Sequence, residues 1–270
     1  MQELTKEKLR QIYRLKTEKG RGKEEKFLIE GLRLCQEAFS SGWDVQLVFF
    51  SSEFGGSAAG EKLIQQFSKK GTEIFRLKKK EIEKLTDTET PQGIMAVVKK
   101  KKFTLSRDFL KESSLLLGLD SIRDPGNLGT MIRTADAAGA DGVLLSKGCV
   151  ELYNPKVIRS TMGSIFHLPV VEGLDLKEVL PEMKVSGFKI FSSEVHQGKD
   201  YSRISYPEKI CLLMGGESSG ISKEVSNLAD ERIKIPLFGK AESLNASVAA
   251  GILLYEMVRN KNGTSSEGKT

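Results

Sequence analysis

Cysteine and histidine are scarce in this 270-residue chain, and each scarcity excludes a class of chemistry. Cys35, Cys149 and Cys211 are odd in number, far apart and outside any Cys-x-x-Cys spacing. They frame neither a disulfide scaffold nor a zinc site, and read as the reduced thiols of a cytoplasmic protein. His167 and His196 are the only histidines, which rules out a His-rich metal centre, so no metal is expected. No run approaches the ~18 apolar residues of a membrane span. Residues 1–6 lack the apolar core of a signal peptide. No P-loop occurs, and no internal repeat or low-complexity tract beyond one run of four lysines.

What is present is uneven along the chain. Residues 1–105 hold 22 Lys and Arg against 15 Asp and Glu, a net of +7. The remainder holds 20 against 21, a net of −1, so all the basic excess lies in the first part. Such a separation fits a polyanion-binding module beside a roughly neutral one. On charge alone, a merely solvated basic surface remains an equal alternative.

The apolar pattern divides the same way. In the first part Thr5–Leu15 reads as a helix with Leu9, Ile12 and Leu15 on one face, and residues 16–26, with Gly20 and Gly22, as a polar connection. Strands are expected at 26–30, 45–50, 73–77 and 93–98, with helices at 32–39, 61–70 and 81–85, which makes a small α/β sandwich. Lys99–Lys102 reads as an exposed linker, and a domain boundary follows at about residue 105. The second part, 106–262, has near-continuous apolar strands separated by helical stretches, the pattern of a parallel sheet covered on both faces. Asn154-Pro155 is a helix start. The last helix, opened by Ser243-Leu244-Asn245 and running to about Asn260, is apolar on almost every side and calls for burial on more than one. Residues 263–270 form a polar tail expected to be disordered.

Three loops at strand ends carry the chemistry, since ligands of open α/β sheets bind outside the carboxyl ends of the strands. In the first, Asp124-Pro-Gly126 makes a turn, Asn127 is expected to cap the next helix, and Arg133 points away from that helix's apolar stripe. Read alone, this loop is more readily a surface pair between Arg133 and Asp136. The second, Met214-Gly-Gly-Glu-Ser-Ser-Gly220, has glycines that permit close approach of a ligand. The third runs from Ile235-Pro236 to Ser243-Leu-Asn-Ala-Ser247, where Ser243 and Asn245 read singly as helix caps.

In combination these loops are far more specific. Asn-x-Gly-x-x-x-Arg at 127–133, Met-Gly-Gly-Glu-x-x-Gly at 214–220, and Ile-Pro followed by Ser-Leu-Asn-x-Ser at 235–247 resemble, in order, the three motifs of the SpoU (TrmH-like) branch of the SPOUT methyltransferases. The resemblance covers about residues 113–260. Residues 1–105 resemble the RNA-binding domain that precedes it in many members, on Phe27-Leu-Ile-Glu-Gly31 and Thr90-Pro-Gln-Gly93.

The resemblance implies an α/β protein whose parallel-sheet catalytic domain ends in a deep trefoil knot, which general topology rules would not suggest. It implies a homodimer that transfers a methyl group from S-adenosyl-L-methionine to a ribose 2′-hydroxyl of RNA. Backbone groups at Gly215, Gly216, Gly220, Ile235 and Leu244 would hold the cofactor. Asn127, Arg133, Glu217, Ser243 and Asn245 would surround the reaction centre. Large-subunit (23S) rRNA is the expected substrate and tRNA the runner-up. Two rivals stand beside this reading. A non-catalytic RNA-binding or ribosome-assembly protein would require a lost Arg133 or cofactor loop. A nucleotide-binding hydrolase would require the missing P-loop and a metal-ligating acid cluster.

Overall fold

The computed structural model describes residues 4–86, 88–217 and 219–266, with side chains through Asn260. The chain separates into two compact units, 1–101 with 153–167, and 102–152 with 168–270.

The first unit begins with α1 (Lys6–Arg14) and α2 (Glu18–Glu24). It continues through β1 (Lys26–Glu30), α3 (Leu32–Ser40), β2 (Val45–Ser51), α4 (Ser52–Gly55), α5 (Ala58–Lys69), β3 (Glu73–Leu77), α6 (Lys79–Leu85) and β4 (Ile94–Lys99). The sheet order is β1-β4-β2-β3, with β4 antiparallel to both neighbours and β2 parallel to β3. One face packs Leu28, Leu47, Phe49, Phe75 and Val97 against Ile12 and Leu15 of the first helical stretch and Ile82 and Leu85 of α6. This is the face the apolar spacing of residues 9–15 predicts.

One expectation is corrected here. Residues 16–26 are not a bare connection, because α2 occupies 18–24, capped by Thr17, whose Oγ1 accepts from Gly20 N at 3.2 Å. Its glycine is a packing requirement, since a Cβ at Gly20 would fall 1.9 Å from the Arg14 carbonyl oxygen. Buried Arg21 repays the helix by donating to the Leu15 and Lys16 carbonyls at 2.9 and 3.0 Å, satisfying groups that a buried turn would otherwise leave unpaired. Residues 153–167, expected within the 106–262 domain, pack with this first unit. They comprise α9 (Pro155–Thr161), capped by Asn154 as expected, and a 3-10 turn at Ser164–Phe166. The cause is aromatic: Phe27 lies 4.6 Å from Tyr153 and 6.5 Å from Phe166, and Trp43 Nε1 donates to the Phe166 carbonyl at 3.2 Å. The lysine run is also less free than a solvated linker, since Lys100 and Lys101 lie over the rings of Tyr153 and Trp43 at 4.7 and 5.2 Å.

The second unit has α7 (Arg107–Glu112), β5 (Leu115–Asp120), α8 (Pro125–Ala137), β6 (Gly142–Ser146), β7 (Val170–Leu174), α10 (Leu176–Val185) and β8 (Lys189–Ser193). It closes with β9 (Lys199–Asp200), β10 (Ile210–Gly215), α11 (Lys223–Ser226), β11 (Glu231–Lys234) and α12 (Ala246–Ser266). Seven strands run in the order β7-β6-β5-β10-β8-β11-β9, and every pair is parallel. Leu116, Leu144, Ile190, Cys211 and Leu213 face α10 and α11 on one side. On the other side α8 and α12 pack on each other, burying Leu128, Met131, Ile132, Leu253, Leu254 and Met257. The sheet is covered on both faces, as its continuous apolar strands require.

Parallel strands place all their carboxyl ends along one edge. The chain leaves β5 towards β6 and β7, then returns to lay β10 between β5 and β8. The crevice at this reversal is where open sheets bind ligands. From β11, beyond β8, the chain crosses back to α12 against α8. The helix α12 extends to Ser266, past the expected end, and residues 267–270 of the expected tail lie outside the described residues.

Candidate functional site

The loops that follow β5, β10 and β11 come together at the carboxyl edge. Asp120, the buried last residue of β5, accepts from the Ser222 backbone N and Oγ at 2.9 and 2.8 Å, which ties the first loop to the second. The helix α8 is capped by Asp124, not by Asn127. Asp124 Oδ1 accepts from Asn127 N at 2.8 Å and Pro125 fills the first helical position. An acidic residue directly before proline outcompetes an asparagine three positions later. The consequence is functional, because the Asn127 side chain is released from the helix end.

That side chain joins a three-residue network. Asn127 Nδ2 donates to Glu217 Oε1 at 2.6 Å. Asn245 Nδ2 donates to the same oxygen at 2.7 Å and to Asn127 Oδ1 at 3.0 Å. The other end of Asn245 caps α12: its Oδ1 accepts from Ser247 N at 2.9 Å, Ser247 Oγ at 2.6 Å and Val248 N at 3.3 Å. One asparagine therefore starts the last helix and bonds both other motifs. The amide and carboxylate groups of all three loops satisfy one another, leaving a single acidic hub, Glu217, at the centre.

Beside the network lies a cleft of about 620 Å³ lined by Met214, Gly215, Gly216, Glu217, Gly220, Ile235, Leu237, Ser243, Leu244 and Asn245, among others. This is the size of a small-molecule site. All five residues expected at the cofactor line it. Its floor is backbone, and a Cβ placed on Gly215 would lie 2.0 Å from the Gly220 carbonyl carbon and 2.2 Å from Ile221 N. Only glycine lets the second loop fold back on itself there, as the bridge between Gly216 and Gly220 requires.

Of the residues expected at the reaction centre, Asn127, Glu217 and Asn245 are brought together, and Ser243 lines the same cleft. Arg133 is not brought to it. Six residues past Asn127, it stands about 9 Å further along α8 and roughly 120° around its axis, exposed and away from the cleft lining. A fourth loop, absent from the expectations, completes the wall: Ser193, Glu194, Val195, His196 and Gln197 also line the cleft. They follow β8, which lies between β10 and β11, so its carboxyl end opens into the same crevice. Only the strand order reveals this; the nearest local signal is a strand ending shortly before Gly198.

The cysteines supply no nucleophile. Burial pushes the Cys211 thiol up to about 12 and Cys35 further still, and burial also raises half-buried Cys149. Among the described residues no three His, Cys, Asp or Glu side chains form a metal-binding group, and no helix is long and apolar enough to cross a membrane.

Comparison with known proteins agrees with this geometry. Residues 114–255 match the SpoU rRNA Methylase family, and residues 6–96 match the MRM3-like substrate binding domain. The chain is 36% identical over 251 residues to the 23S rRNA (guanosine(2553)-2′-O)-methyltransferase RlmP of Bacillus subtilis, covering 93% of this chain and 96% of that protein. It is 34% identical to the mitochondrial rRNA methyltransferase 3A of Danio rerio, over 87% of this chain and 64% of that protein. Among solved structures, the AdoMet-bound rRNA methyltransferase from Sinorhizobium meliloti superposes with a TM-score of 0.84 at 30% identity, over 96% of this chain and 97% of that one. The SpoU methyltransferase AviRb from Streptomyces viridochromogenes, in complex with AdoMet, gives 0.83 at 28% identity, over 94% and 98%. The ordered motifs, the parallel-sheet cleft and these matches place the chain in the SpoU rRNA methylase family, with an MRM3-like substrate-binding domain ahead of its methyltransferase domain.

Proposed function

We propose that this enzyme methylates a ribose 2′-hydroxyl of large-subunit (23S) rRNA, with S-adenosyl-L-methionine as methyl donor. The observation that carries the reading is the convergence of Asn127, Glu217 and Asn245 beside a glycine-floored cleft. The cleft fits the donor chemically. Its backbone floor and the apolar Ile235, Leu237 and Leu244 suit a nucleoside held by main-chain groups, and Glu194 and Glu217 bring negative charge near a sulfonium. When bound, the donor supplies an electrophilic methyl on an excellent leaving group. Gly215, Gly216, Gly220, Ile235 and Leu244 hold it. Glu217 fixes both asparagine amides, so the wall facing the ribose is set before RNA arrives.

Arg133 is assigned to the RNA side of the reaction. An arginine stays protonated to a pKa above ~12 and is a poor base. It binds the phosphate next to the target ribose, orients the hydroxyl and stabilises its developing negative charge. Within one chain it does not reach the cleft, so we place it in the cleft of a second copy. The homodimer is supported by α12, whose apolar Val248 and aromatic Tyr255 are 51% and 54% exposed on a helix that packs its Leu253, Leu254 and Met257 side against α8. The expected trefoil knot belongs to the same proposal, supported by the path that returns from β11 across the sheet to α12. The basic unit 1–105 captures structured rRNA through phosphates, and the cytoplasm is its place of action. The experiment incubates purified enzyme and Arg133→Ala with methyl-labelled S-adenosyl-L-methionine and separate pools of 23S rRNA, 16S rRNA and tRNA. Label confined to 23S rRNA and lost in Arg133→Ala is the expected result. Label in tRNA, or equal label with the variant, overturns the assignment.

A further inference from the structure

Among the residues of the loop from β11 to α12 that do not line the cleft, one is aromatic. Ile235, Leu237, Ser243 and Leu244 line the cleft, whereas Phe238 projects from the same loop at 98% exposure. Leaving a phenylalanine ring in water forgoes about 1.5–3 kcal/mol of burial, so an isolated, fully exposed ring beside a functional cleft invites a partner. The other aromatic rings of this unit are spoken for. Phe188, Phe191 and Tyr206 are buried, and Phe103, Phe109 and Tyr201 are half-buried. Tyr255 is exposed, but it stands about 15 Å along α12 from Asn245 and does not line the cleft. Among the described residues, Phe238 is the one fully exposed ring on a cleft-lining loop.

We propose that Phe238 is a substrate-binding residue, which stacks on a nucleobase of the RNA at or next to the methylated nucleotide. The inference rests on the ribose-methylation reading. A 2′-hydroxyl can reach a cleft at a sheet edge only if its nucleotide leaves regular helical stacking, and an unstacked base gains most from an aromatic face. The surroundings of Phe238 favour RNA over a second protein copy. Exposed Lys240 lies two residues after it and Lys234 four before, which suits phosphates on either side of a stacked base. Interface cores are depleted of lysine, and the exposed α12 residues offered for the dimer, Val248 and Tyr255, include none.

The test measures methylation of transcribed 23S rRNA by Phe238→Ala, Phe238→Leu and Phe238→Trp, with cofactor affinity by calorimetry and mass by light scattering. Wild-type activity on this RNA is the control for the underlying reading; its absence sinks that reading and the stacking proposal with it. Given activity, Phe238→Ala is expected to raise KM for RNA or lower kcat/KM by roughly 5- to 150-fold, the value of one stacked base. Cofactor affinity and mass stay unchanged. Phe238→Trp keeps full activity, and Phe238→Leu, apolar but without a π face, fails like alanine. Leucine as active as phenylalanine refutes stacking. Loss of cofactor affinity in Phe238→Ala makes the ring part of the cofactor wall instead, and a fall to monomer mass makes it a dimer contact; either overturns the proposal.

Discussion

Asn245 performs two tasks with opposite ends of one side chain, and substitution can separate them. Its Oδ1 caps α12 through Ser247 and Val248, and its Nδ2 donates to Glu217 and Asn127. Asn245→Ala removes both. Loss of an N-cap costs about 0.5–2 kcal/mol, and the two donated bonds, exposed and so at the low end of their range, add about 0.5 kcal/mol each. A total near 2 kcal/mol lowers Tm by roughly 4–8 °C for a chain of this size. Asn245→Asp keeps a good cap but places a carboxylate where Nδ2 now lies 2.7 Å from Glu217 Oε1. The two donated bonds are lost as in alanine, about 1 kcal/mol, and repulsion at water-like screening adds about 1 kcal/mol, so the Tm fall is again roughly 4–8 °C. Both variants should therefore fall below wild type by about the same amount, alanine through the lost cap and aspartate through repulsion. Methyl transfer should be as badly impaired in the aspartate variant as in alanine, because both lose the network. Adding Glu217→Gln to Asn245→Asp reverses donor and acceptor across the pair and should restore Tm and part of the activity, a coupling that independent sites would not show. Differential scanning fluorimetry and a methyl-transfer assay check both effects. No recovery of Tm on adding Glu217→Gln to Asn245→Asp, or wild-type activity in Asn245→Asp, refutes the reasoning.

Three further outcomes follow from the same structure. Gly215→Ala forces a Cβ to within 2.0 Å of the Gly220 backbone, so it should cost ~1–3 kcal/mol in stability. Calorimetry should show at least a tenfold loss of cofactor affinity, about 1.4 kcal/mol. Glu231 is held below the usual carboxylate range first by its bond from Lys199 and then by Lys189, whose Nζ lies 3.0 Å from Oε2. A lowered folded-state pKa stabilises above the unfolded value and is lost as pH falls through the folded one, so Glu231→Gln should lower Tm at pH 7, with the gap closing below about pH 5. Persistence of the gap at pH 2 contradicts this. Cys35 and Cys211 are buried with raised thiol pKa values, so Ellman's reagent at pH 8 should modify no more than Cys149 in the native enzyme and all three thiols in denaturant.

Much of this was legible in the sequence because the signals are local. The apolar runs at 115–119 and 210–214 are strands because their length and continuity fit a doubly covered sheet, and the three motifs lie at strand ends as parallel topology demands. What escaped depends on contacts far apart in the chain. The helix at 18–24 looked like a polar link because two glycines outweigh local propensity, until Arg21 is seen to bond the end of the preceding helix. The packing of residues 153–167 on the first sheet follows from Tyr153 and Phe166 meeting Phe27 and Trp43. The wall from Ser193 to Gln197 follows only from β8 lying between β10 and β11. The capping of α8 was readable and misread, since Asp124-Pro125 is the stronger start. That misreading hid why Asn127 is free to bond Glu217.

The most direct test of the central claim is the identity of the methylated nucleoside. Transcribed 23S rRNA would be treated with enzyme and cofactor, digested completely to nucleosides and resolved by mass spectrometry, with Glu217→Ala as control. The account predicts one new 2′-O-methylnucleoside, in an alkali-resistant dinucleotide and absent from the control. A methyl group on a base, or product undiminished by loss of the Glu217 hub, would contradict it.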